Sequence, residues 1–277
     1  MGKFGVHRWS RLWHKAVNPF YSVEENPLII LGNQKSGTTA IAKLIALACG
    51  EDVQLDIEAL WEPNCKLILE GELGLPEVIR KNKRFFSSPI LKEPNFSLLY
   101  PHLERFYDDA AFLLIVRDPR DNIRSILNRL DIPGNKAKLS PKDFRSVNKH
   151  WRALFDASRY DQGRNQYIEL LAARWNLCAD LFLRHPEKVM VFRYEDFLAN
   201  KADSIYRIAR KLGLEPRTDI SSKVNVQYQP VGNHNISWED FFGEDNLNRI
   251  EDICSRRMKK LGYQLRNSSY ESKASAG

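Results

Sequence analysis

The chain has 277 residues, 43% of them hydrophobic and 11% aromatic, which is enough for one sizeable core and too much for a disordered polypeptide. Its formal net charge of +7 favours anionic partners, a class that covers nucleotides, anionic glycans and membrane surfaces alike. No apolar run reaches the roughly 18 residues that span a bilayer and no secretory signal opens the chain, so the expectation is a soluble, cytoplasmic protein.

At the N-terminus, Trp9, Leu12, Trp13, Ala16 and Val17 fall at helical spacing beside Arg8, Arg11, His14 and Lys15. Such a helix suits peripheral contact with an anionic membrane surface; the plainer reading is an arm, residues 1–25, whose tryptophans pack on the domain. Short apolar runs then alternate with helical periodicity, the mark of βαβ units around a parallel sheet. The expected strands are Leu28–Leu31, Pro89–Leu91, Ala111–Val116 and Val189–Arg193. Behind the first comes a glycine turn and a helix whose stripe is Ile41, Leu44, Ile45 and Ala48, stopped by Gly50.

Ser140 before Pro141 predicts a helix running to about Ser158, and Ile168, Leu171, Trp175, Cys178 and Phe182 predict another, together forming a helical insertion over residues 131–185. Helices ending at Gly213 and Gly262 follow, and residues 266–277 read as a flexible tail. The fold class is therefore α/β: three layers around a parallel sheet of about four to five strands, P-loop-like, in a single domain over 1–277. Cys49, Cys65, Cys178 and Cys254 lack C-x-x-C spacing and read as reduced core thiols, with neither a metal site nor a disulfide framework indicated. Two glycosylation-type triplets, at Asn235 and Asn267, carry little weight without a secretion signal.

Chemistry concentrates in two stretches. In "LGNQKSGTT", Gly32 and Gly37 have P-loop spacing, but Lys35 precedes the second glycine where a nucleoside-triphosphate loop has its lysine after it. Such a turn still aims backbone N–H groups at an anion, with a helix N-terminus behind it, while Lys35 adds charge and Ser36, Thr38 and Thr39 add hydroxyls. In "FLLIVRDPRDNIRSIL", a buried strand ends in Arg117, at the edge where open α/β sheets bind ligands, and the helix after it carries Ser125. The arginine's planar fork can grip a phosphate bidentately.

Together these stretches resemble the two cofactor motifs of the sulfotransferase family. The resemblance implies that Lys35, Ser36, Gly37, Thr38 and Thr39 hold the 5′-phosphosulfate of 3′-phosphoadenosine 5′-phosphosulfate (PAPS), and that Arg117 and Ser125 hold its 3′-phosphate. "VMVFRYEDF" is similar to a third family segment and would bring Tyr194 near the adenine. "VGNHNISWEDFF" resembles the loop that closes over the nucleotide, with Gly232 and Asn233 in it. The similarity runs from about Pro27 to Tyr263. One departure is Ala40, which stands where the small-molecule branch has a tryptophan that stacks on adenine.

Sulfuryl transfer needs a base for the acceptor hydroxyl, positive charge on the transferring group and charge relief at the leaving phosphate. Lys35 is placed for the leaving group, PAP, and no metal is called for. By resemblance to the glycan and tyrosylprotein branches, Glu62 in "LWEPN" is the expected base and Glu93 in "LKEPN" the alternative, with Lys92 neutralising the sulfuryl group. A glutamate is usually a solvated or ion-paired surface residue, and the histidines are scattered, with His234 the one nearest the presumed closing loop.

The expected acceptor is a carbohydrate or glycolipid hydroxyl, favoured by the polar and aromatic insertion residues Trp151, Arg152, Tyr160, Arg164 and Tyr167; a small alcohol or phenol is the alternative. The rival enzyme class is a P-loop kinase in which Asp118 holds Mg²⁺, and a non-catalytic nucleotide-binding module is a third reading. Nucleic acid is not an expected partner, because the basic residues are dispersed.

Overall fold

The computed structural model describes residues 17–160, 163, 166–226 and 236–266. In chain order the elements are β1 (Leu28–Gly32), α1 (Thr38–Cys49), β2 (Val53–Leu55), α2 (Asn64–Leu69), α3 (Leu75–Lys81), β3 (Ile90–Lys92), α4 (Phe96–Phe106), β4 (Ala111–Val116) and α5 (Pro119–Leu130). They continue with α6 (Lys149–Arg152), α7 (Tyr167–Arg184), β5 (Val189–Arg193), α8 (Tyr194–Ala199), α9 (Lys201–Lys211) and α10 (Trp238–Lys260).

The five strands form one parallel sheet in the order β2-β3-β1-β4-β5, with Leu28 of β1 in register with Ile90 of β3 and Ala111 of β4. Side chains alternate across a strand, so the apolar runs feed two cores. Ile29, Leu31, Leu91, Phe112 and Leu114 join the core beneath α4, α5, α7 and α10; Leu28, Ile30, Ile90, Leu113 and Ile115 join the core beneath α1 and α9. From β1 the chain goes to one side for β2 and β3 and to the other for β4 and β5. This reversal opens a crevice beyond the carboxyl ends of the central strands.

The three-layer α/β expectation and its four strands are present, and β2 is a fifth. It escapes the sequence because three half-exposed residues between acidic ones leave no apolar run to read. The single helix expected from Ser140 to about Ser158 is instead a series of short turns. Asp143 accepts from the Ser140 N–H and hydroxyl, at 2.7 and 2.8 Å, and closes the turn Pro141–Phe144. Asn148 caps α6, and Asp156 caps the turn Ala157–Arg159. Three side chains that bond nearby backbone or restart a helix break the path a continuous one would follow.

The last helix is longer than expected, kinked at Gly243, where φ is 68°. All four cysteines are buried. Among the described residues no helix is long and apolar enough to cross a membrane. Trp9, Trp13 and the tail beyond Arg266 lie outside the described residues.

Candidate active site

The glycine turn is shaped by packing on both sides. Gly32, with φ 148°, passes so close to β4 that a Cβ there would lie 2.7 Å from the Ile115 carbonyl oxygen, and its N–H donates to Ser97 Oγ at 2.9 Å. Lys35 and Gly37 are both left-handed, at φ 67° and 87°, a curl that gathers backbone N–H groups into an anion-binding concavity in front of α1. A Cβ on Gly37 would meet the Tyr194 ring at 2.4 Å, so only glycine lets that ring lie against the loop. Asn122 of α5 braces the turn from beneath: its Nδ2 donates to the Gln34 carbonyl at 2.8 Å and to Ser36 Oγ at 3.0 Å, and its Oδ1 accepts from Asn33.

Arg117 emerges where β4 ends. Its Nη1 donates to the Lys35 carbonyl at 3.1 Å, and its guanidinium lies 4.9 Å from the centre of the Tyr194 ring. Lys35, Gly37, Thr38, Thr39, Arg117, Ser125 and Tyr194 all line one cavity of about 630 Å³. Ser36 does not reach its wall, being buried against Asn122. Burial, with Arg129 and Arg117 nearby, lowers the pKa of Lys35, an effect that a bound anion would oppose. Beside Tyr194 the wall becomes apolar, with Phe197, Leu198, Val224 and Val226, and Ala40 leaves that region open.

Beyond the loop, the wall carries the two carboxylates Asp56 and Glu93. Asp56 follows β2 in a left-handed conformation, half exposed, with Oδ1 2.7 Å from the buried Lys92 Nζ. Glu93 is only 2% exposed; its oxygens accept from Trp61 Nε1 and the Asn95 N–H, each at 3.2 Å. Burial pushes its pKa up to about 7, against the lowering pull of Lys92 and of these two donors.

The expected base, Glu62, lies elsewhere: it is ion-paired with Arg159 Nη1 at 2.7 Å, largely buried, and is not part of the cavity wall. His150 is on the wall, its ring centre 4.9 Å from that of Trp61, whereas His234, Gly232 and Asn233 lie outside the described residues. Asp118, the candidate Mg²⁺ ligand, caps α5 and spends both oxygens on Arg120, at 2.9 and 2.6 Å.

Sequence reasoning missed Asp56, Trp61, Arg129, Asn148 and His150 as wall residues. Only Asp56 had a usable signal, its place at the carboxyl end of a strand, and that strand was unread. With Lys35, Lys92, Arg117, Arg129 and Lys201 facing two carboxylates, the cavity is built for an anion.

Comparison with known proteins bears on the fold and the family. A curated relative from Caenorhabditis briggsae, named "Putative protein-tyrosine sulfotransferase", is 23% identical over 88% of this chain and 91% of its own length. A sulfotransferase structure from Mycobacterium avium superposes with a TM-score of 0.54 at 14% identity, covering 94% of this chain and 82% of that one. A mouse sulfotransferase crystallised with PAP gives 0.50 at 15% identity and 89% of each chain; both are likenesses of fold. The model of the sulfotransferase family matches residues 75–219, more than half of the chain. The chain belongs to the sulfotransferase family.

Proposed function

We propose that the protein transfers the sulfuryl group of PAPS to an acceptor hydroxyl, leaving PAP. One observation carries this reading: the glycine turn, the Arg117–Ser125 pair and the Lys92–Asp56 pair converge on a single cavity at the carboxyl ends of the strands. The loop N–H groups, Lys35, Thr38 and Thr39 would take the 5′-phosphosulfate, and Arg117 and Ser125, with Arg129, the 3′-phosphate. Adenine would lie against Tyr194, Phe197 and Leu198 in place of the stacking that Ala40 cannot give.

In the step itself, the acceptor O–H proton passes to a carboxylate as its oxygen bonds to sulfur. The bond from sulfur to the bridging oxygen breaks, and its electron pair leaves on the PAP phosphate, beside Lys35. Asp56 is the base we favour, because it is the accessible carboxylate on the wall, and Lys92 beside it would meet the sulfuryl oxygens. A second assignment, Glu93, draws on its pKa of about 7, which suits a base, although its burial does not.

Asn148, His150 and Trp151 bring the 131–185 insertion to the wall as part of an acceptor surface within a single domain. Trp61 and Trp151 on the wall, with Asn95 and Asn148, favour a carbohydrate hydroxyl. The name of the Caenorhabditis relative favours a second acceptor, the tyrosyl hydroxyl of a protein. Incubation with sulfur-35-labelled PAPS and a panel of glycans, glycolipids and tyrosyl peptides tests both. Label on one class identifies the acceptor; PAP binding without label on any hydroxyl would overturn the catalytic reading.

A further inference from the structure

Helix α7 passes behind both anion-binding motifs, and two adjacent residues on it, Arg174 and Trp175, are 1% and 2% exposed. Successive helix residues point about 100° apart, so neighbours can reach different targets. Arg174 Nε donates to Asn33 Oδ1 and to Gln34 Oε1, each at 2.9 Å, and its Nη1 donates to the Tyr160 hydroxyl at 3.2 Å. Its Nη2 is 3.5 Å from the carbonyl oxygen of Pro94, the residue after Glu93. Trp175 Nε1 donates to the Arg117 carbonyl at 2.8 Å.

A buried guanidinium resting on neutral oxygens is costly to desolvate, and an apolar side chain there would pack at lower cost. Its partners explain its use. Asn33 and Gln34 are the residues through which β1 enters the anion loop, and Arg117 in turn holds the Lys35 carbonyl. One dipeptide therefore grips both motifs from the side opposite the cavity.

We infer that Arg174 and Trp175 are positioning residues for the donor site: Arg174 sets the entry of the loop, and Trp175 fixes the strand end from which Arg117 reaches the nucleotide. This rests on the reading of the cavity as a PAPS site. The insertion is thereby more than an acceptor wall, since its long helix also fixes the distance between the two phosphate-binding motifs.

The test measures PAP affinity by calorimetry alongside the melting temperature of the ligand-free protein. Trp175→Phe keeps an aromatic ring, though a smaller one, and removes the N–H; it should weaken PAP binding about fivefold, the worth of one hydrogen bond. Arg174→Met should weaken it about tenfold, and Arg174→Lys should recover part of that loss. In an Arg117→Ala background, Trp175→Phe should cost no further PAP affinity, because its effect travels through Arg117. If Arg174→Met does not fold, Trp175→Phe and Arg174→Lys carry the test.

Variants that melt lower but bind PAP like the wild type would overturn the inference and leave both residues as packing groups. An undiminished effect of Trp175→Phe in the Arg117→Ala background would overturn the route through Arg117. A wild-type protein that fails to bind PAP would instead overturn the donor reading beneath it.

Discussion

The two sides of the cavity are built differently. The proposed donor side comes from two contiguous stretches, residues 33–39 and 117–125, each a strand end running into a helix, braced from behind by Asn122, Arg174 and Trp175. The proposed acceptor side is assembled from Asp56 with Trp61, Lys92 with Glu93, and the broken segment around His150, three places far apart in the chain. Recognition of a phosphate by backbone amides needs a local shape, so it is written locally. An ion pair such as Lys92 and Asp56, proposed as catalytic, needs only proximity, which the sheet provides by placing β2 beside β3.

If that division is right, mutations should separate by side. The largest effect expected is from Asp56→Asn, which should lower kcat by roughly 10²- to 10⁴-fold, the usual worth of a general base, with PAP affinity retained. Full loss in Glu93→Gln with Asp56→Asn active would move the base to Glu93. Arg117→Ala should do the converse, weakening PAP binding by about 2 kcal/mol, or roughly 30-fold, by calorimetry. Gly37→Ala should cost about 1–2 kcal/mol of folding stability by denaturant titration, since φ is 87° and the new methyl meets Tyr194.

The last effect is one of pH. Glu93 titrates at about 7 in the folded protein against an ordinary value of 4.5, so the folded chain keeps a proton that the unfolded chain has lost. Its contribution to stability is full below about pH 4.5 and is lost progressively as pH rises to about 7. Glu93→Gln should flatten that decline in melting temperature between about pH 5 and about pH 7.5. An unchanged profile would mean that Glu93 does not hold its proton.

Legibility in the sequence follows the same division. Val-, Ile- and Leu-rich runs announced β1, β3 and β4 because both faces of each are buried, and Val-Met-Val-Phe announced the partly buried edge strand β5, whereas β2 at the opposite edge carries no such run. That Lys35, Arg117 and Ser125 line one cavity was legible because a spacing of a few residues on one strand–turn–helix preserves geometry. Glu62 is the harder case, for the opposite reason. Its neighbourhood resembles Glu93's, and nothing in "LWEPN" reveals that Arg159, nearly a hundred positions on, folds back to pair with it. His150 was hidden by the same long-range folding, since three local caps bend the insertion and bring its ring to Trp61.

The most direct test of the central claim is a calorimetric titration with PAP, with ATP plus Mg²⁺ in parallel. Lys35 on the near side of Gly37, and Asp118 committed to Arg120, favour PAP over a Mg²⁺-nucleotide. Tight binding of PAP without added metal, weaker binding of Mg·ATP and loss of the PAP signal in Arg117→Ala are the predicted results. Binding of Mg·ATP without binding of PAP would contradict the account.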